Sequence, residues 1–103
     1  ISSPVDLIVI DTSFISLRIV VPSVLRFLKP DGNILALIKP QFEAGKGFVG
    51  KGGVVKDPAL HKKIIYELRL FFTDHKLVCG PVTPSPIRGP KGNREFIILL
   101  RQR

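Results

Sequence analysis

The sequence predicts an α/β fold: a mostly parallel sheet of four strands, the last one antiparallel, with two main helices. Three observations predict it. Apolar runs rich in β-branched residues alternate with helical periodicities along a chain of 103 residues. The runs are continuous rather than alternating, which suits strands covered on both faces. The final two runs are joined by a turn-rich loop with no helix between them, so one of them should be reversed.

The first strand is Asp6-Leu7-Ile8-Val9-Ile10, bounded by Pro4 and by the polar Asp11-Thr12-Ser13. A helix is expected over 17–28, where Leu17, Val20, Val21, Val24, Leu25 and Leu28 share a face at spacings of three and four. Pro22 fits its first turn, and Pro30-Asp31-Gly32-Asn33 should stop it. The second strand is Ile34-Leu35-Ala36-Leu37-Ile38, followed by a Gly- and Lys-rich loop from Lys39 to Lys56. Asp57 then reads as an N-cap and Pro58 as the first helical residue of a second helix reaching Asp74. Leu60, Ile64, Ile65, Leu68 and Phe72 would form its buried face. A third strand covers Lys76–Val82, a loop from Thr83 to Asn93 carries Pro84, Pro86, Gly89 and Pro90, and the last strand is Glu95–Leu100.

Charge narrows the classes of partner. There are 16 basic residues against 8 acidic ones, a formal net charge of +8. A surplus of this size favours a polyanion such as nucleic acid. The single cysteine, Cys79, excludes an intrachain disulfide and fits a reducing compartment; its place in a strand suggests packing rather than chemistry. No apolar run reaches membrane-spanning length, and the N-terminus lacks a signal-peptide pattern. The expected location is the cytoplasm, with no membrane partner.

In open α/β sheets, ligands bind beyond the carboxyl ends of the strands. Asp11-Thr12-Ser13-Phe14 follows the first strand and Lys39-Pro40-Gln41-Phe42-Glu43 the second. Neighbouring parallel strands would bring Asp11 and Lys39 together. Burial at the end of an apolar strand disfavours an ammonium unless a carboxylate opposes it. A lysine so placed can act as a general base; a structural ion pair is the plainer alternative. Glu95 begins the last strand, and if that strand is antiparallel its start joins the same edge.

The loop residues Gly45 to Gly52 reproduce part of a phosphate-binding loop, with Gly45, Gly50 and Lys51 in place. Gly52 stands where Ser or Thr should hold magnesium, and no helix is expected to start there. A basic loop touching RNA phosphates, or simply a pliant surface loop, fits better. The loop from Pro86 to Arg94 is also basic. His61 and His75 should lie on helix surfaces, and no metal-ligating cluster is visible.

Taken together, Asp6–Leu17 (DLIVIDTSFISL), Lys39–Gly53 (KPQFEAGKGFVGKGG), Val55–His61 (VKDPALH) and Ser85–Arg101 (SPIRGPKGNREFIILLR) cover most of the chain. This combination resembles the TlyA-type, haemolysin A-like ribosomal RNA 2′-O-ribose methyltransferases of the FtsJ-like family. The resemblance implies the C-terminal half of a Rossmann-like sheet that uses S-adenosylmethionine. It would make residues 1–103 a partial catalytic domain, without the glycine-rich cofactor loop and the small N-terminal RNA-binding domain of the family.

The family's catalytic set is Lys-Asp-Lys-Glu. Asp11 matches the aspartate, Lys39 the second lysine and Glu95 the glutamate, while the first lysine has no counterpart here. The resemblance further implies that Asp11, Ser13 and Phe14 border the methyl donor. Lys46, Lys51, Arg88, Lys91 and Arg94 would hold phosphates of ribosomal RNA or of a ribosomal subunit. The chain alone is then expected to be inactive and to bind the donor weakly. An uncovered sheet edge at residues 6–10 would favour a homodimer. Other readings are a non-enzymatic RNA-binding module and a base amino-methyltransferase. Pore formation, suggested by the older family name, finds no spanning helix or barrel pattern in the sequence.

Overall fold

A computed structural model of the chain describes residues 4–44, 55–89 and 92–102. Four strands form one mixed sheet in the order β1-β2-β4-β3. They are β1 (Val5–Ile10), β2 (Leu28–Ile38), β3 (Leu77–Pro84) and β4 (Phe96–Gln102). β1 and β2 are parallel, and β4 runs antiparallel to both of its neighbours, β2 and β3. The expected fold class is therefore the observed one.

α1 (Leu17–Val24) links β1 to β2. It is shorter than its periodicity suggests and passes into a 3-10 turn at Leu25–Phe27. Ser16 is its N-cap, which puts Pro22 inside the helix rather than in the first turn. A proline there lacks the N–H for the bond to the preceding turn, and the helix ends two residues later. Leu28 is buried, as its spacing requires, but as the first residue of β2. The Pro30–Asn33 punctuation becomes an irregularity inside β2 instead of a free turn: partners jump from Leu28 to Asn33 opposite Val5 and Leu7. Asp31 takes the left-handed backbone there, with φ 62°.

After β2 comes a single helical turn, α2 (Pro40–Glu43), which the sequence reading leaves as loop. The long helix is α3 (Pro58–Asp74). Asp57 caps it, accepting the Ala59 N–H at 2.9 Å, and Pro58 opens it. Ile64, Leu68 and Phe72 are its buried residues, the i, i+4 stripe that the pattern marks.

Both helices lie on one face of the sheet. Leu17 and Val21 of α1 and Ile64, Leu68 and Phe72 of α3 share a core with Ile10, Ile34, Ala36, Ile38, Ile98 and Leu100. The two crossovers step across the sheet in the same direction, and crossovers of one hand moving one way cover one face. Among the described residues no helix covers the other face. Leu7 and Val9 are 54% and 65% exposed, and Leu35 and Leu99 are exposed beside them. The continuous apolar runs suggest strands covered on both faces, and among the described residues helices cover only one. The bare face carries an open cavity of about 330 Å³ lined by Val9, Asp11, Leu35, Leu37, Pro86 and Ile87.

Candidate functional site at the carboxyl edge of the sheet

The ladders fix which residues meet at the sheet's edge. Ile10 pairs with Ala36 in the parallel ladder, and Ile38 pairs with Phe96 in the antiparallel one. One residue beyond these pairs lie Asp11 after β1, Lys39 after β2 and Glu95 before β4. The antiparallel sense of β4 is what brings Glu95 to this edge.

Lys39 is buried, 8% exposed. Its Nζ lies 2.5 Å from Asp11 Oδ1 and donates to Ser13 Oγ at 3.3 Å. The pair is asymmetric: the Lys39 side chain is 10% exposed and that of Asp11 62%. The cation is thus removed from water while its counter-charge keeps an open side.

Glu95 is buried as well, and its Oε2 accepts a hydrogen bond from Gln41 Nε2 at 3.1 Å. Gly89 closes over the same oxygen, because a Cβ at that position would overlap Glu95 Oε2. The structure therefore joins Asp11, Ser13 and Lys39 in one hydrogen-bonded group. It brings Glu95 to the same edge, with Gln41 as its partner.

Phe14 follows with φ 66°, a strained backbone for a side chain of that size. Its ring is 89% exposed and leans on Phe42, with centroids 4.9 Å apart. Of the basic residues expected to face RNA, Arg88 is exposed and Arg94 half-buried. Arg88 Nη1 donates to the Gly92 carbonyl at 3.2 Å. Lys46, Lys51 and Lys91 lie outside the described residues.

The loop carrying Arg88 and Arg94 is closed by its own backbone. Ser85 N–H donates to the Glu95 carbonyl and Gly89 N–H to the Asn93 carbonyl, each at 2.8 Å. Asn93 is 2% exposed, and its Oδ1 accepts the Val55 N–H at 2.9 Å. The Val55 carbonyl meets His61 Nε2 at 2.8 Å, so that nitrogen is the donor. Expected on the helix surface, His61 instead pins the segment that leads into α3, with its ring edge-on to Phe96. Asn93 and His61 together tie the loop after β2 to the loop before β4.

Glu43 is the charged residue whose place the sequence did not reveal. Its carboxylate takes the Ser16 hydroxyl at 2.6 Å and the Leu17 N–H at 2.8 Å, with Arg18 Nη1 at 3.6 Å. Ser16 Oγ in turn accepts the Arg18 N–H at 3.0 Å. The first-turn donors of α1 are thus satisfied by Ser16 and by a carboxylate from α2. Burial pushes the Glu43 carboxyl up from its ordinary value, opposed by the bonds from Ser16 and Leu17 and by the charge of Arg18. This cap fixes α2 against α1, and α2 carries Gln41 and Phe42.

Among the described residues, no group of three His, Cys, Asp or Glu could hold a metal ion. None of their helices is long and apolar enough to cross a membrane.

A sheet of this order, with its polar edge at the strand ends, belongs to the Rossmann-like methyltransferase class of folds. The O-methyltransferase of Bacillus cereus, in complex with SAH, matches it with a TM-score of 0.53 at 18% identity, over 97% of this chain and 41% of that one. That likeness concerns the fold alone. Residues 1–102 match the FtsJ-like methyltransferase family, and the chain belongs to that family. It is 43% identical over 97 residues to the 16S/23S rRNA (cytidine-2′-O)-methyltransferase TlyA of Mycobacterium tuberculosis, covering 94% of this chain and 36% of that protein. It also matches a candidate hemolysin of Lactococcus lactis with a TM-score of 0.93 at 37% identity, over 99% of this chain and 49% of that one. The chain therefore spans about a third of the TlyA protein's length.

Proposed function

We propose that this chain is the part of a ribosomal RNA 2′-O-methyltransferase that carries Asp11, Lys39 and Glu95, and that the methyl group comes from S-adenosylmethionine. The observation that carries the reading is the buried Lys39 amine held between Asp11 and Ser13, one residue beyond the ladder pair that brings β4 and Glu95 to the same edge. Membership of the FtsJ-like family and the rRNA ribose methylation named for the mycobacterial relative support it.

The residues at the end of β1 suit the methyl donor chemically. Asp11 offers an open carboxylate for a cationic group, Phe14 an exposed ring, and Thr12 Oγ1 is buried without a hydrogen-bond partner among the described residues. Asp11, Ser13 and Phe14 would hold it. When bound, it supplies a methyl group already activated on a sulfonium. What remains for the protein is to make a ribose hydroxyl nucleophilic and to aim it.

Lys39 Nζ, once one of its protons has passed to Asp11, would accept the 2′-hydroxyl proton, and the ribose oxygen would take the methyl group as the methyl–sulfur bond breaks. Asp11 and Glu95 hold the amine and the attacking oxygen in line, which is where most of the rate gain arises. Arg88 and Arg94, with Lys46, Lys51 and Lys91, bind the RNA phosphates.

The test is Lys39→Ala in the full-length protein, assayed for label transfer from S-adenosylmethionine to the ribose of ribosomal RNA. Methylation should vanish while binding of the methyl donor persists. Retained turnover would sink the assignment.

A further inference from the structure

We propose that Gln41 is a positioning residue that seats the Glu95 carboxylate, an inference that rests on the methyl-transfer reading above. Gln41 is 9% exposed. Its Nε2 donates to Glu95 Oε2 at 3.1 Å, and its Oε1 is buried without a hydrogen-bond partner among the described residues. Turning the amide over would set its carbonyl against the carboxylate, so Glu95 itself dictates which end faces it.

The unpaired carbonyl is the informative atom. A buried acceptor with no donor weakens a fold, and an apolar side chain of similar shape would avoid that cost. Among the described residues only the amide end of this glutamine has a partner, and that partner is the Glu95 carboxylate. Sites where a local rule is broken in this way are where function is expected.

The seat has a second wall. Gly89 has no side chain where a Cβ would overlap Glu95 Oε2, and its own N–H is fixed on the Asn93 carbonyl. One carboxylate oxygen is thus held from two sides, by an amide from α2 and by a bare backbone from the loop before β4. That leaves the orientation of the other oxygen determined. Gln41 acts through Glu95 and needs no contact with either substrate.

Two measurements test this. In thermal unfolding of the Glu95→Leu chain, adding Gln41→Leu should keep or raise Tm, because neither end of the amide then has a partner among the described residues and no buried carboxylate is left unpaired. A clear fall there, repeated with Gln41→Met, would mean that the residue is structural and would overturn the proposal. In the full-length protein, Gln41→Leu should lower kcat about 10- to 100-fold with KM for RNA and for the methyl donor unchanged. Combined with Glu95→Gln, the loss should be smaller than the product of the two single losses.

An unchanged kcat beside an inactive Lys39→Ala variant would overturn the role of Gln41 alone. An unsubstituted protein that methylates no ribosomal RNA would overturn the methyl-transfer reading, and this inference with it.

Discussion

Lys39 Nζ lies 2.5 Å from Asp11 Oδ1, joining the ends of two neighbouring parallel strands, and only the lysine is buried. Removing the two partners should therefore have unequal effects. Asp11→Ala leaves a buried ammonium without its counter-charge. Lys39→Met leaves a largely exposed carboxylate, which water can solvate. Breaking a fully buried pair costs about 3–5 kcal/mol, and the open side of Asp11 reduces this to about 1–2 kcal/mol for Asp11→Ala. Urea denaturation should show Lys39→Met nearer to the unsubstituted chain. Equal losses would show that the pair is no more than a surface contact.

Gly89→Ala should separate activity from stability. The added methyl group can be admitted only if the Glu95 carboxylate swings away, because the carboxylate, not backbone, occupies the space. The gain of about 0.4–1 kcal/mol from a stiffer unfolded chain offsets part of the lost Gln41 bond. Tm should change little while methyl transfer falls. Unimpaired transfer would mean that the position of Glu95 is unimportant.

The Glu43 carboxyl gives a pH dependence of known sign. Burial raises it above its unfolded value of 4.5, so the folded chain takes up a proton more readily than the unfolded one. The stability this contributes is fully present below pH 4.5 and is lost as pH rises through the raised folded value. Comparing Tm against pH for the chain and for Glu43→Gln isolates this contribution. The substituted chain should have a flatter profile in that window, and identical slopes would contradict it.

Salt should weaken RNA binding steeply, since a chain of net charge +8 displaces counterions from phosphates. Arg88→Ala should reduce the slope of log affinity against log salt by about 0.7–0.9, the contribution of one phosphate contact. A fluorescence anisotropy titration at several salt concentrations reads this directly. An unchanged slope would remove Arg88 from the interface.

The sheet, both main helices and the edge gathering Asp11, Lys39 and Glu95 were legible because they rest on local signals. Asp57-Pro58 marks the start of α3 to the residue, since a cap and a proline act within one turn. Strand order placed Glu95, once the missing crossover implied a reversed β4. What was not legible depends on partners far apart in the chain. Gln41 and Glu95 are separated by 54 residues, and Ser16 and Glu43 by 27. Nothing in the KPQFE run distinguishes a glutamine that seats a carboxylate from one that faces solvent. His61 shows the opposite error: a histidine near a helix start looks exposed until its Val55 partner is placed. The shortening of α1 follows from Pro22, visible in the sequence but assigned to the wrong turn.

The uncovered side of the sheet and the basic loop should respond to ionic strength in opposite senses. Leu7, Val9, Leu35 and Leu99 form an apolar surface with Asp11 and Arg101 at its rim, next to the side of β1 that has no strand partner among the described residues. Sulfate strengthens contacts between such surfaces by being excluded from them, while any salt weakens contacts with phosphates. Raising ammonium sulfate should therefore drive two copies together through this face and, on the reading proposed above, weaken RNA binding by the loop that carries Arg88 and Arg94. A charged replacement such as Val9→Lys should abolish the first response and leave the second intact.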